Sequence, residues 1–122
     1  MLDLEKLKRH TAVLVTTRGR KTGKLHTVKI WFALGSGKVY LTSARGAGAD
    51  WVKNLKKNPE VTLKIGETTF QGRATWFEGE EVSQHILPLF LRKYLLARVF
   101  KLFRYYQQEF AFEVEPRAEE TS

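Results

Sequence analysis

The 122-residue sequence contains no cysteine and has only three prolines. The lack of cysteine excludes disulfides, thiolate metal sites and a cysteine nucleophile, and it is consistent with a cytoplasmic protein. The N-terminus has no apolar run of the kind that a secretory signal needs, so we expect a cytoplasmic location. His10, His26 and His85 show no ligand spacing and no paired-carboxylate motif accompanies them, so no metal site is predicted.

Acidic residues are scarce, with 13 Asp and Glu against 21 Lys and Arg, and the formal charge is +8. Such an excess attracts anions, which leaves nucleic acid, anionic lipid or a phosphorylated cofactor as partners. The absence of a helix-turn-helix pattern and of an exposed aromatic row argues against a specific nucleic-acid module. A long uncharged apolar run is also missing, because four cations interrupt Ile86–Phe103, so we exclude a membrane-spanning helix.

The length and the hydrophobic pattern predict one domain over residues 1–122, with the order α-β-β-β-α-β-β-α-β. Six short strands joined mostly by hairpins predict an α+β fold in which an antiparallel sheet curls into a barrel with flanking helices. The predicted elements are a helix over Leu2–Arg9, strands over Ala12–Thr17, Leu25–Leu34 and Val39–Thr42, a helix over Trp51–Lys57 capped by Asp50, strands over Val61–Ile65 and Thr68–Trp76, a helical region that Gly79 opens and Pro88 divides, with its longer part over Leu89–Tyr106, and a strand over Phe110–Val114.

The basic turn between the first two strands, Arg18–Lys24, is the most informative stretch. Its glycines permit a sharp turn, and its peptide N–H groups could form an anion nest. Arg20 offers a forked donor set for phosphate oxygens, Lys21 offers a mobile charge and Thr22 adds a hydroxyl. The spacing is not that of a Walker A loop. The turn is therefore either an anion site or a solvated hairpin that happens to be basic.

Two further segments could border the same ligand. Ser43, Ala44 and Arg45 form a flexible, positively charged loop after the third strand, and the alternative is an ordinary connection. Trp51 and Asn54 lie one helical turn apart and share a face. The Trp51 indole could cover a flat ring, or it could belong to the core.

The last predicted helix is amphipathic, and its two sides differ in charge. Its apolar side includes Leu95, Val99, Leu102 and Phe103, and cations including Lys101 lie opposite. This pattern indicates a helix packed on the barrel or in a dimer. The alternative is a helix lying on an anionic membrane surface.

The segments TTRGRKTGK, YLTSARG and DWVKNLKKNPEVTL, in this order, resemble the deazaflavin-dependent nitroreductase family, whose members are also described as quinone reductases that depend on coenzyme F420. The resemblance extends from about Thr11 to Ala74. It implies a split β-barrel similar to that of FMN oxidases, and an oxidoreductase that transfers a hydride to a quinone, nitro or other conjugated organic acceptor. Because the apolar side of the last helix needs a cover, we also expect a homodimer. The alternatives are an FMN-dependent reductase of the same fold and a non-catalytic deazaflavin or lipid carrier.

The resemblance also assigns cofactor contacts by position. It places Arg20, Lys21, Thr22 and Gly23 at the phosphate and glutamate tail of the deazaflavin. Ser43, Ala44 and Arg45 would line the groove beside the ring system or its linker, and Trp51 and Asn54 would flank the cofactor. His26 stands where many relatives have an arginine and would replace it as a polar contact, and the C-terminal tyrosines do not align, so no catalytic residue is assigned.

Overall fold

The computed structural model describes residues 3–43, 48–93 and 110–117. A short 3-10 helix, Leu4–Leu7, precedes the sheet. The strands are β1 (Val13–Arg18), β2 (Leu25–Ile30), β3 (Phe32–Gly35), β4 (Lys38–Leu41), β5 (Glu60–Ile65), β6 (Thr68–Glu78) and β7 (Phe110–Pro116). Helix α1 (Asp50–Lys57) lies between β4 and β5, and a π-helical turn (Val82–Ile86) runs directly into α2 (Leu87–Lys93) after β6.

The seven strands form one antiparallel sheet in the order β2-β1-β5-β6-β7-β4-β3. β2 and β3 are separated only by Trp31, yet they occupy opposite ends of this order. The sheet must therefore curl until its two edges approach each other, which confirms the predicted curled antiparallel α+β fold. The single strand predicted over Leu25–Leu34 was wrong, because at Trp31 the chain passes from one edge of the sheet to the other.

Alternating side chains define the core inside the curl. In β1, Val13, Val15 and Thr17 are buried, while Leu14 and Arg18 between and after them are exposed. This period of two is the one expected for a strand with one face on the core. β5 repeats the pattern. The largest wholly buried side chains of the inner face come from four strands and α1: Phe32, Phe112, Leu41, Leu55, Leu63 and Ile65.

The outer face of the sheet is covered on one half. Tyr40 and Ala111 point outward and pack beneath Val82, Ile86 and Phe90 of the π-turn and α2. Pro88 lacks the N–H that a regular helix would use, and the wider π-turn immediately before it ends with the Leu87 N–H bonded to the Val82 carbonyl. On the other half, formed by β2, β1, β5 and β6, outward-facing side chains such as Leu14, Lys29, Lys64 and Gln71 are exposed, and none of the described helices packs over them.

Some predicted features lie outside the described residues. They are Ala44 and Arg45 of the loop after β4, and the predicted C-terminal helix beyond Lys93, with the apolar and basic sides defined by residues such as Leu95 and Lys101. Within residues 3–43, 48–93 and 110–117, no helix has the length and hydropathy needed to cross a bilayer.

Candidate functional site

A groove of about 530 Å³ lies between the basic β1–β2 turn and helix α1. A volume of this size is within the range of small-molecule sites, roughly 300–1,000 Å³. The lining residues are Gly19, Arg20, Lys21, Thr22, Lys24, His26, Thr27, Val28, Asp50, Trp51 and Asn54. The fold therefore brings together six residues that the sequence marked as candidates: Arg20, Lys21, Thr22, His26, Trp51 and Asn54.

Helix α1 forms one wall of the groove because it is strongly amphipathic. Trp51, Val52 and Leu55 are buried, and Lys53 and Lys57 are exposed. The Trp51 ring lies 5.8 Å from that of Phe112, between ring centroids, and only 6% of the residue is exposed. Trp51 is thus a core residue that also lines the groove, and packing against the sheet fixes the orientation of the helix.

Asn54 connects the helix to the basic turn. Its side-chain oxygen accepts hydrogen bonds from the Arg20 backbone N–H at 3.2 Å and from Arg20 Nη1 at 2.8 Å. Its amide nitrogen donates to the hydroxyl of buried Thr17 in β1 at 3.4 Å. Since Asn54 is only 3% exposed, these bonds satisfy a buried amide and fix the turn against α1.

Asp50 has a different place from the one that the sequence suggested. The predicted helix cap by Asp50 was wrong, because Ala49 is the N-cap residue, it makes no side-chain cap bond, and Asp50 is already the first residue of α1. The Asp50 carboxylate instead lies 3.6 Å from Arg20 Nη2. Arg20 is therefore held from two sides, by Asn54 and by Asp50, and its guanidinium has further N–H donors for a ligand.

Hydrogen bonds within the turn account for most of its backbone N–H groups. Gly19 N–H donates to the Lys24 carbonyl at 2.7 Å, and Gly23 N–H donates to the Gly19 carbonyl at 3.0 Å. Lys24 N–H donates to Thr22 Oγ1 at 3.2 Å, and Arg20 N–H donates to Asn54. Anion binding by the turn would therefore rely on its basic side chains more than on a nest of peptide groups.

The remaining geometry of the turn explains two glycines. Gly23 has φ +79°, a left-handed conformation that glycine adopts without steric cost. A Cβ atom on Gly19 would lie 3.0 Å from His26 Nε2 and 3.2 Å from the Lys24 carbonyl oxygen. Gly19 thus allows the His26 imidazole to lie close to the backbone of the turn.

Two described candidates do not line the groove. Gly23 belongs to the turn but not to the lining, and Ser43 is 2% exposed at the end of β4. Five further residues line the groove and were not predicted from the sequence: Gly19, Lys24, Thr27, Val28 and Asp50. Lys24 could have been included because it closes the same basic turn, whereas the position of Asp50 depends on how α1 meets Arg20. No group of three or more His, Asp or Glu suited to a metal ion occurs in the described part of the chain.

The shifted pKa values belong to side chains away from the groove. Burial, reinforced by a 2.9 Å hydrogen bond from the hydroxyl to Glu113, raises the pKa of Tyr40 to about 12. Burial lowers the pKa of Lys93 to about 8, and its ammonium group lies 3.3 Å from the centroid of the Phe32 ring. Neither residue lines the groove.

Residues 4–93 match the model of a protein family described as F420H(2)-dependent quinone reductase. The chain belongs to this family. The match covers the basic turn, α1 and every described lining residue of the groove. This family member is an oxidoreductase, and its family uses coenzyme F420 as the hydride source.

Solved structures give the same fold. An F420-H2 dependent reductase (FDR-A) is 28% identical, with a TM-score of 0.68 over 85% of this chain and 93% of that one. A conserved hypothetical protein from Mycobacterium tuberculosis is 18% identical, with a TM-score of 0.75 over 97% of this chain and 82% of that one. A heme storage protein from Vibrio cholerae, HutZ, is 14% identical with a TM-score of 0.75, covering 95% and 89%. The last two likenesses concern the fold alone.

Proposed function

We propose that the groove between the β1–β2 turn and α1 binds reduced coenzyme F420, and that the acceptor of the hydride is a quinone. The observation that carries this proposal is the fixed position of Arg20, whose backbone and guanidinium are both held by buried Asn54. A guanidinium held in advance loses less entropy when it binds a phosphate oxygen than a mobile one does.

The donor set fits a phosphorylated cofactor. Arg20, Lys21 and Lys24 all line the groove, and Asp50 is the one carboxylate among its described lining residues. Thr22 Oγ1 accepts a bond from Lys24 N–H, which leaves the hydroxyl proton for a ligand oxygen. These residues would hold the phosphate and the acidic tail.

Bound reduced coenzyme F420 supplies the hydride, so the side chains of this chain need only bind and orient. Trp51 and Val28 provide apolar lining, and the turn and α1 enclose the groove from opposite sides. His26 contributes a polar group to the lining. Ser43 and Gly23 do not line the groove, so a contact from either to the cofactor would require a ligand that extends beyond it.

A parallel titration with coenzyme F420 and with FMN tests the proposal. We expect preferential binding of coenzyme F420 and turnover of a soluble quinone with the reduced coenzyme. Duplex DNA should bind only weakly at physiological salt, since non-specific binding depends on counterion release. Preferential FMN binding, or tight and salt-resistant binding of a DNA sequence, would contradict the proposal.

We also propose that the protein is a cytoplasmic homodimer that takes quinone or nitro acceptors. One similar structure, 27% identical and covering 85% of this chain and 79% of that one, is described as a domain-swapped dimer. Light scattering at micromolar concentration should report the mass of two chains, and turnover of a nitro compound should be measured beside that of the quinone.

A further inference from the structure

The open half of the outer sheet face carries an unusual combination of exposed apolar and basic side chains. Leu14 is 37% exposed and Leu25 is 63% exposed, and no other large hydrophobic residue of the described chain is exposed. Cross-strand partners share a face of a sheet. Leu14 pairs with Lys29, and Leu25 pairs with Arg18, so both leucines lie on the same face of β1 and β2.

The cations on this face are arranged around the leucines. Leu14 has Lys29 of β2 directly on one side and Lys64 of β5 directly on the other. These three residues border a shallow depression of about 220 Å³, together with Ala12, Val13 and Gly66. Neither lysine forms an ion pair with a carboxylate of the described residues.

The one carboxylate on the β2, β1, β5 and β6 half of the face is already neutralised. Glu60 binds Arg73 at 3.1 Å and also forms an ion pair with Arg117. The rest of the face is polar and uncharged, with Thr16, Thr27, Thr62, Thr69 and Gln71 between the charges. The face therefore has a clear positive excess.

A protective role explains only part of this arrangement. Lysine on an edge strand such as β2 hinders edge-to-edge aggregation. Lys64 lies on β5, which is paired on both sides, so it needs no such protection. Protection of an edge strand against aggregation also does not explain why two leucines are exposed on the same surface.

We propose that this face, defined by Leu14, Leu25, Lys29, Lys64 and Arg18, docks on an anionic lipid surface. The leucines would enter the boundary between headgroups and acyl chains, and the long side chains of the lysines would reach the lipid phosphates. A second copy of this chain is a poorer occupant, because a symmetric contact would place the positive face against itself. Nucleic acid is also disfavoured, because the face has no aromatic side chain for stacking.

This docking would place the protein at the bilayer, where a lipid-soluble acceptor is concentrated. The rationale rests on the proposed quinone acceptor, but the binding itself does not depend on it. The surface is formed by residues of the outer face of β1, β2 and β5, and none of them belongs to the amphipathic C-terminal segment that the sequence suggested.

Flotation with vesicles tests the proposal, using the full chain without coenzyme. We expect the wild type to float with vesicles of an equimolar mixture of phosphatidylcholine and phosphatidylglycerol, and not with vesicles of phosphatidylcholine alone. Since each basic residue near an anionic surface contributes about 1 kcal/mol, the double variant K29E/K64E should lower vesicle affinity at least about tenfold. The matched control K53E/K57E makes the same change in net charge on α1 and should bind as the wild type does.

The apolar part of the contact has its own variant. Leu14→Thr with Leu25→Thr keeps strand propensity and charge, and should lower vesicle affinity about tenfold even at high salt. Thermal unfolding should be near that of the wild type, and coenzyme F420 affinity should be unchanged in all the variants on the sheet face. If the wild type floated with the vesicles but did not bind coenzyme F420, the proposed function of the groove would be contradicted and the proposed membrane contact would not.

Three results would overturn the proposal. The first is failure of the wild type to float with the anionic vesicles. The second is equal loss of flotation by K53E/K57E and K29E/K64E, which would indicate a general charge effect. The third is dissociation of a wild-type dimer by the leucine variant, which would assign the face to a second copy of the chain.

Discussion

Asn54 Oδ1 accepts two hydrogen bonds from Arg20, one from its backbone at 3.2 Å and one from its guanidinium at 2.8 Å. The two residues are 34 positions apart in the sequence, and this contact sets the distance between the basic turn and α1. Because Asn54 is also bonded to buried Thr17, the turn is fixed to both the sheet and the helix.

Replacement of Asn54 by Ala should loosen the turn and weaken coenzyme binding. It leaves the Arg20 N–H and the Thr17 hydroxyl without a protein partner, so we expect a loss of about 1–3 kcal/mol in the free energy of unfolding. Coenzyme F420 affinity should fall about tenfold, measured by fluorescence titration beside urea denaturation. Asn58→Ala is the matched control, because Asn58 Oδ1 also accepts a hydrogen bond from a backbone N–H, that of Glu60, but does not line the groove. Equal coenzyme affinity in the two variants would show that Asn54 does not position the turn.

The double variant Arg20→Ala, Lys21→Ala should impair binding without unfolding the protein. Each charge-assisted hydrogen bond contributes roughly 1.5–3 kcal/mol, so coenzyme affinity should fall at least about tenfold. FMN and coenzyme F420 should both bind more weakly, since both carry phosphate. Lys53→Ala with Lys57→Ala on the exposed side of α1 controls for net charge. Unchanged affinity in the Arg20 and Lys21 variant would remove the turn from the site.

Gly72→Ala should be strongly destabilising. A Cβ atom there would lie 2.6 Å from Val114 Cγ1 and 2.9 Å from the Glu115 carbonyl oxygen, and backbone cannot yield as a flexible side chain does. We expect a loss of about 1–3 kcal/mol, read from the urea midpoint. Gly48→Ala meets nothing within 4 Å and should be close to neutral. If the urea midpoint of Gly72→Ala were as high as that of Gly48→Ala, β6 and β7 would have to move apart at little cost to make room for the Cβ atom.

Tyr40 should lower the free energy of unfolding at high pH. Its folded pKa of about 12 is above the unfolded value near 10, so the folded state keeps the phenol proton longer. Its contribution is complete below about pH 10 and is lost as pH rises from about 10 to 12. Urea midpoints over this range should fall more steeply for the wild type than for Tyr40→Phe. Parallel curves would contradict the raised pKa.

Local patterns in the sequence were sufficient to predict most of the strands and helices of the fold. Alternation located β1, β5 and β6 to within two residues. Ser36 and Gly37, with φ values of 53° and 76°, form the two-residue hairpin turn between β3 and β4, and such turns favour glycine. The break at Trp31 could not be predicted, because apolar residues recur at every second position from Val28 through Ile30 to Phe32 and no glycine or proline interrupts them. Only the closing of the curled sheet requires the chain to change edges there.

The site was predictable in its residue types but not in its contacts. Arg20, Lys21 and Thr22 stand out in a short basic turn, because their chemistry is local. The role of Asn54 depends on a contact between segments 34 residues apart, and neither helical spacing nor composition carries that information. Asp50 looked like a cap for the same reason, since its proximity to Arg20 arises only when α1 packs on the sheet.

The position of β7 between β6 and β4 affects how the chain can fold while it is being translated. The β3–β4 hairpin is local, but its neighbour in the sheet is β7, and Val39 pairs with Val114 near the other end of the chain. During translation this hairpin must therefore wait, with one edge unpaired, until residues 110–116 have left the ribosome. A pause in translation before those codons would prolong the period in which the unpaired edge is open to aggregation.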